Sequence, residues 1–295
     1  MSIKSILVPV TDGPAARGTV ESAMILARGF TAHTLGLPVV AKTHRPTPDS
    51  IMRSRTSVAA LNPDFLEMLD VAQAEEPEEL RRLRALFEAT AGDLQIEWID
   101  GPPLPPGRPS ASVRRDAATE PDEVAAYGRV FDLVVLSQPK NDPDHRIRRI
   151  LRAILFKSGR PVVIAPETPP SSIGARILIA WDGSALSARA AAVARQRFDR
   201  VEAVGILTVR NGRGETSSAE DLAAYWAPHG ATPSLIEVGL GDRRLGDCFL
   251  EQAEAFGADL FVMGAYAQSP FRESLTNGVT NYVLSHADLP VLMTH

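Results

Sequence analysis

The sequence predicts an α/β protein made of two tandem, doubly wound units, each with a five-stranded parallel sheet. Short apolar runs alternate with longer amphipathic stretches along nearly the whole chain, which is the pattern of a parallel sheet covered by helices on both faces. Three landmarks also recur in the same order, about 130 residues apart. Finally, the proline- and serine-rich segment 165–174 lies between the two copies and has the composition of a short linker.

The repeated landmarks define the two copies. Each is an apolar run with its flanking residues, and the matched pairs are 6–13 with 177–184, 131–137 with 258–264, and 159–164 with 288–293. A period of this length indicates a duplicated domain, since the repeats of a solenoid are much shorter. We therefore expect one domain at 1–166 and a second at 175–295. The short linker should keep them in contact as an intramolecular pseudo-dimer, packed through the final strands near 162–164 and 291–293; a higher oligomer is left open.

Each copy is predicted to follow the order βαβαβαβαβ. In the first copy the apolar pattern predicts strands near 5–10, 35–41, 94–99, 132–136 and 161–165, and helices near 14–29, 63–91, 111–128 and 146–158. In the second copy it predicts strands near 176–181, 202–209, 233–238, 259–263 and 290–294, and helices near 185–197, 217–228, 243–256 and 278–286. Two segments are additional, a polar loop at 43–57 and a proline-rich stretch at 101–110, which we expect to be extended over the carboxyl edge of the first sheet.

Composition limits the function classes. The chain has 295 residues and a net charge of −5, which disfavours broad binding to nucleic acids or anionic membranes. Its single cysteine, Cys248, allows no internal disulfide and no cysteine-based zinc site, and we expect it to be a core residue rather than a reactive thiol. No apolar run approaches the roughly 20 residues that span a bilayer. The first strand begins within about five residues of Met1, too early for a signal peptide, so we expect a cytoplasmic protein.

The last third of the chain, 257–295, organises the candidate site. A buried strand near 259–263 ends at Gly264, a loop follows, a helix begins near Gly278, and Pro290 introduces the final strand. A loop in this position lies at the carboxyl end of a strand, where open α/β sheets bind ligands. Backbone N–H groups of the loop and of the helix start can hold phosphate oxygens.

This segment resembles the C-terminal signature of universal stress proteins. In their nucleotide-binding members the loop has glycine, two residues, glycine, nine residues, glycine, and then serine or threonine. This sequence has Gly264 at the first position, Ala267 at the second, Asn277 at the third and Gly278 at the last. The resemblance covers nearly the whole chain as two copies of the universal stress protein fold, which is similar to that of the adenine nucleotide α-hydrolases, and it implies a stress-response protein.

The resemblance also implies a ligand, ATP or another adenine nucleotide, in the second copy. Carried over position by position, the residues in contact with it would be Ala180, Trp181, Asp182, Val209, Met263, Gly264, Asn277, Gly278 and Val279. Ala267 carries a methyl group where the family has glycine, and Gly278 lacks the family's hydroxyl. We therefore expect the right backbone with fewer side-chain contacts.

Two residues at the end of the first strand of this copy allow two interpretations each. Asp182 accepts hydrogen bonds from a ribose hydroxyl or an exocyclic amine in one interpretation, and caps the next helix or shapes the Asp-Gly turn in the other. Trp181 stacks on a base in one interpretation and covers an apolar edge in the other.

The first copy is expected to be degenerate. After Leu136 its loop contains two prolines and two acids but no glycine, which removes N–H donors and repels phosphate. Asp12 is its counterpart of Asp182. The arginine-rich stretch 145–152 has apolar residues at helical spacing, so its arginines form either a solvated face or a contact for an anion or a partner protein.

Three functions remain open at this stage. The first is a regulatory stress-response module that binds an adenine nucleotide in its second copy without efficient catalysis. The second is a nucleotide-free scaffold that acts through protein partners. The third, an ATP-hydrolysing enzyme, has the least support because the sequence shows no nucleophile, metal or general-base motif; we expect a protein that is not an enzyme and holds no metal.

Overall fold

One mixed sheet of eleven strands forms the centre of the protein. The structure, a computed structural model, describes residues 3–40, 77–100, 107–142, 145–198, 200–210, 218–265 and 278–295. The strands are β1 (Ser5–Val10), β2 (His33–Pro38), β3 (Glu97–Trp98), β4 (Ser110–Val113), β5 (Leu133–Ser137), β6 (Val162–Ala165), β7 (Arg176–Ala180), β8 (Ala203–Arg210), β9 (Ser234–Gly239), β10 (Leu260–Gly264) and β11 (Val291–Thr294). Their spatial order is β3-β4-β2-β1-β5-β6-β11-β10-β7-β8-β9.

Eight α-helices lie in the described part of the chain. They are α1 (Ala16–Phe30), α2 (Glu78–Asp93), α3 (Pro121–Gly128), α4 (Arg146–Lys157), α5 (Ala185–Arg197), α6 (Ala219–Trp226), α7 (Leu245–Phe256) and α8 (Val279–His286). They cover both faces of the sheet, and the buried apolar residues accordingly form two clusters, one on each face. The central strands are apolar on both sides because helices cover both, as in other parallel α/β sheets. The predicted doubly wound α/β architecture is confirmed.

The two copies meet in the middle of the sheet. All strand pairs within a copy are parallel, but β6 and β11 pair antiparallel, with Val163 opposite Leu292. The flanking pairs are Ile164 with Val291 and Val162 with Met293, so equivalent residues exchange places about a local twofold axis. Phe30 and Phe198, at the ends of the equivalent helices α1 and α5, also meet across the copies with ring centroids 5.2 Å apart. The predicted packing through the final strands is confirmed, whereas the boundaries 1–166 and 175–295 stay a prediction.

An aspartate in each copy explains one of the repeated landmarks. Asp259 precedes β10 and accepts hydrogen bonds from the backbone N–H groups of Gly174, Ala175 and Arg176, at 2.8–3.1 Å. Asp132 precedes β5 and accepts from the N–H groups of Lys4 and Ser5. A carboxylate therefore ties the start of β5 to the start of β1 in the first copy, and the start of β10 to the start of β7 in the second.

The third strand of the first copy was predicted wrongly. The strand near 94–99 is only the two-residue edge strand β3, and the third strand in topology is β4, which pairs between β2 and β3. The helix predicted at 111–128 begins only at Pro121, because Ser110–Val113 is extended and buried. The first copy therefore has six described strands instead of five.

Further boundaries differ as well. The proline-rich stretch 101–110 was expected over the carboxyl edge of the first sheet. Its described end leads to the amino edge instead, because β4 begins there, parallel to β2. Residues 101–106 and the loop 43–57 lie outside the described residues. Of the helix predicted at 63–91, the part from Glu78 onward is described and extends to Asp93. In α8 the buried residues are Thr280, Val283 and Leu284, and His286 is exposed.

Candidate functional site

The candidate site lies at the carboxyl edge of the second copy. There β8, β7 and β10 are neighbours and run parallel, so their ends lie side by side. From β7 the chain proceeds to β8 and β9 on one side and then returns to β10 on the other. The crevice between the ends of β7 and β10 is therefore a topological switch point, the usual ligand position in open α/β sheets.

Most of the predicted residues stand at this edge. Ala180 ends β7 and is followed by Trp181 and Asp182. Val209 is the second-to-last residue of β8, and Met263 and Gly264 end β10. The side chains of Ala180 and Met263 are buried in the core, with 7% and 5% of their surface exposed, so only their backbone is available to a ligand. Asn277 lies outside the described residues, together with 266–276.

Trp181 is half-buried and packs against the apolar core, and its backbone N–H donates to the carbonyl of Leu207 at 2.8 Å. The interpretation in which its indole covers an apolar edge is thus the one that the packing supports. Stacking on a base would use only the part of the ring that is left exposed.

Asp182 shapes the turn into α5. Its carboxylate accepts a hydrogen bond from the backbone N–H of Ser184 at 3.0 Å, and Ser184 in turn caps the helix by accepting from the N–H of Ser187 at 3.2 Å. Partial burial of the carboxylate works to raise the pKa of Asp182, but hydrogen bonds from Ser184 and Ser187 outweigh it and the pKa lies below the usual value. Asp182 remains exposed, so an ionised acceptor is available at the switch point.

Gly264 is required by packing. A Cβ atom at this position would lie 2.7 Å from the Cβ of Leu186 and 3.0 Å from the backbone nitrogen of Ser187, both in the first turn of α5. Sequence analysis attributed this glycine to the phosphate loop alone. The close approach of β10 to α5 is a second reason for it, and one that needs no ligand.

α8 starts at the same carboxyl edge as Gly264, because it connects β10 to the parallel strand β11. Gly278 is the N-cap residue, with φ −62° and ψ 149°, and brings no side chain to the first N–H groups of the helix. Val279 follows and packs against the core. The helix start is thus formed as predicted from the sequence, with a backbone that suits phosphate oxygens.

Sequence analysis missed three hydroxyl-bearing residues around this edge. Ser184 and Ser187 surround the carboxylate of Asp182, as described above. Thr294 pairs with Gly264 across β10 and β11, and within the described chain its buried hydroxyl has no hydrogen-bond partner. The serines were foreseeable from the Asp-Gly-Ser order, which is typical of a helix cap; nothing in the sequence indicated Thr294.

The same edge of the first copy is filled by the protein's own charges. Asp12 lies 3.7 Å from the guanidinium of Arg82, measured between Oδ2 and Nη1. Asp142 occupies the N-terminus of α4, where its two carboxylate oxygens accept from the backbone N–H groups of Arg146 and Arg148 at 2.8 and 3.1 Å. An anionic ligand at that helix would have to displace this carboxylate.

Among the described residues, no group of three or more histidine, cysteine, aspartate or glutamate side chains is placed to hold a metal ion. None of the described helices is both long and apolar enough to cross a membrane. Cys248 is fully buried, as predicted, and burial raises the pKa of its thiol.

Comparison with known proteins agrees with this geometry. Residues 214–295, which include β9, β10, α8 and β11, match the model of the universal stress protein family. Curated proteins give no match to the sequence.

Solved structures extend the likeness to both copies. A universal stress protein from Archaeoglobus fulgidus is 13% identical, covers 99% of this chain and 96% of its own, and superposes with a TM-score of 0.68. A candidate universal stress protein from Pseudomonas aeruginosa UCBPP-PA14 is 16% identical over 99% of this chain and 93% of its own, with a TM-score of 0.53. At these identities the likeness shows the fold, and it confirms the predicted universal stress protein architecture over the whole chain.

Proposed function

We propose that this protein is a stress-response regulatory module that binds an adenine nucleotide in its second copy and does not turn it over efficiently. The observation that carries the proposal is the switch point between β7 and β10. An ionised carboxylate, Asp182, stands on one side of it, and the strand end at Gly264 stands on the other. The base and ribose would lie near Asp182, and the phosphates near the start of α8 at Gly278.

The contrast between the copies supports a single site. In the first copy, Asp142 already supplies the negative charge at the helix N-terminus, and Asp12 faces Arg82. In the second copy the equivalent helix starts at a glycine, which supplies no such charge. A helix N-terminus attracts negative charge. At α4 the carboxylate of Asp142 already provides that charge, so a phosphate group is favoured at α8 and disfavoured at α4.

Binding without turnover suits the chemistry of Asp182. Its lowered pKa keeps the carboxylate ionised near neutral pH, and its hydrogen bonds come from the N–H and O–H groups of Ser184 and Ser187. Such a group accepts hydrogen bonds from a ribose or an amine but is not poised to move a proton. We propose ATP as the first nucleotide to test, because the carried-over residues belong to an ATP-type motif.

A nucleotide-free scaffold is the second candidate, and two observations favour it. Packing against Leu186 explains Gly264, and the turn at Ser184 explains Asp182, so neither residue requires a ligand. Structures of two other universal stress proteins contain cAMP and dAMP, at TM-scores of 0.33 and 0.30 against this chain; likenesses that weak say nothing about its ligand.

Mass spectrometry of small molecules released from the denatured, freshly purified protein separates the two candidates. The proposal predicts an adenine nucleotide in the released material, and predicts that the Asp182→Ala protein, purified in parallel, carries less of it. If neither protein releases a nucleotide and none binds when ATP is added back, the scaffold function replaces the proposal.

A further inference from the structure

The arginine-rich helix α4 of the first copy contacts α8 of the second copy. The guanidinium of Arg148 donates through Nη1 to Oδ1 of Asn281 at 3.1 Å and through Nη2 to Oγ of Ser285 at 3.0 Å. Asn281 and Ser285 are four residues apart and so lie one above the other on the same side of α8. Arg148 thus spans one full turn of the helix that starts at the proposed phosphate position.

The backbone of Arg148 is itself fixed. Its N–H donates to Asp142 at 3.1 Å, so the carboxylate that closes the first copy's helix end also sets the position of this arginine. The guanidinium is half-buried, as are both of its partners. A half-buried guanidinium that donates two hydrogen bonds fixes the geometry of its partners better than a fully solvated guanidinium would.

Neighbouring residues of the first copy hold the end of α8 from the same direction. Gln138 is buried, and its amide donates to the carbonyl of Ala287 at 2.7 Å. Lys140 lies 3.4 Å from the carboxylate of Asp288. These residues belong to the loop that follows β5, the counterpart of the second copy's candidate ligand loop. In the first copy this loop docks α8.

The opposite side of α8 is held within its own copy. Tyr282 packs over Gly246 of α7, and its hydroxyl hydrogen-bonds to Asp247. Val283 and Leu284 lie in the core below. The helix is therefore held by α7 on one side and by α4 on the other, and Arg148 provides the charged contact on the α4 side. Its positive charge also suits the C-terminal half of α8, where the helix dipole is negative.

We propose that Arg148 is a positioning residue: through Asn281 and Ser285, the first copy holds α8 at the geometry that the second copy's ligand edge needs. The arginines of 145–152 were predicted to form either a solvated face or a contact surface, and for Arg148 the contact is with the protein's own second copy. The inference rests on the proposed function only for what α8 is positioned to bind.

Hydrogen–deuterium exchange of the full-length protein tests the positioning without any nucleotide. Arg148→Ala is expected to raise the exchange rate of the amides in 279–286 about tenfold, the equivalent of one to two lost hydrogen bonds, and to leave β1 and β2 unchanged. Arg148→Lys keeps the charge but loses the forked guanidinium, so the exchange rate of these amides should lie between those of the wild type and the Arg148→Ala protein. Arg149→Ala removes an exposed arginine of the same helix and is the matched control.

A double-mutant comparison tests whether Arg148 acts through Ser285. Ser285→Ala alone is expected to speed exchange of the amides in 279–286. In the Arg148→Ala protein it should add little, because the contact between the two residues is already lost. Additive effects, exchange in α8 that does not respond to Arg148→Ala, or the same rise in the Arg149→Ala protein would each overturn the inference.

The ATP affinity of the same variants provides the functional readout. If the wild type binds ATP, Arg148→Ala is expected to weaken binding about three- to tenfold while Arg149→Ala does not, and equal affinities would overturn the inference. If the wild type carries no nucleotide after purification and does not bind ATP, the proposed function is wrong, and the exchange of α8 alone decides the role of Arg148.

Discussion

Gly264 and Leu186 meet where β10 ends, and a Cβ atom on Gly264 would lie 2.7 Å from the Cβ of Leu186. The helix α5 therefore lies as close to the strand as a glycine allows. Close approach at this point places Asp182, which precedes α5, beside the end of β10. The packing of one glycine thus determines how narrow the candidate crevice is.

Replacing Gly264 with alanine should push α5 away from β10. We expect the free energy of unfolding to fall by about 1–3 kcal/mol, the usual cost of adding a methyl group to a packed contact. Urea denaturation measures it. Gly239→Ala is the control, because Gly239 also ends a strand, β9, but has no atom within 4 Å of the added methyl; it should change stability by less than about 0.5 kcal/mol. Equal losses in the two variants would show that α5 does not constrain Gly264.

Much of the fold follows from local sequence pattern. The apolar strands of the second copy, the position of α8 and the packing of the copies through their final strands were predicted, because matched landmarks identify the equivalent strands. The antiparallel direction of that junction, with Val163 opposite Leu292, comes from the structure. The short strand β4 was missed because Ser110 and Ser112 are polar yet buried, so the stretch lacks the apolar run that marks a central strand. Both serine hydroxyls form hydrogen bonds with the ring nitrogens of His33 on the neighbouring strand, which satisfies these buried polar groups.

The site was less predictable than the fold. Sequence order places Asp182 at a strand end, but only the structure shows that its carboxylate is shared with the turn at Ser184. The role of Arg148 was beyond sequence analysis, since helical spacing separates the core face from the outer face but does not say which helix lies against the outer face. The side-chain contacts of Arg148 depend on how the two copies pack, and helical spacing alone does not indicate that.

Asp259 should be among the costlier surface carboxylates to remove. It accepts from three successive backbone N–H groups and from the hydroxyl of Ser172 at 2.8 Å, so its loss leaves several donors without their partner. We expect Asp259→Ala to lower the free energy of unfolding by about 2–3 kcal/mol. Chemical denaturation checks this against Asp242→Ala, which removes an exposed carboxylate and should cost less than about 0.5 kcal/mol. A loss as small as that of the control would mean that the junction of β7 and β10 does not depend on Asp259.

His33 should make stability depend on pH. It is 8% exposed, its Nδ1 lies 2.9 Å from the hydroxyl of Ser110, and its Nε2 lies 3.1 Å from that of Ser112. Burial lowers the pKa of His33 below its usual value. As the pH falls below about 6.5 the unfolded chain takes up this proton before the folded protein does, so stability is complete above that pH and declines below it, by at most about 1.4 kcal/mol per pH unit.

Urea denaturation between pH 7.5 and 5.5 measures this decline. In the His33→Gln protein the slope of stability against pH should be smaller, even if its stability at pH 7.5 is lower. His286→Gln, which removes an exposed histidine of α8, should keep the slope of the wild type. Parallel slopes in all three proteins would show that His33 is not the group responsible.

Calorimetric titration with ATP tests the central claim most directly, because it measures a ligand site in one copy and its absence in the other. The wild type should bind, Asp182→Ala should bind about two- to tenfold more weakly through the loss of about one hydrogen bond, and Asp12→Ala should bind like the wild type. Binding that is lost in the Asp12→Ala protein, or a wild type that gives no heat and binds no ATP by equilibrium dialysis, would contradict the account.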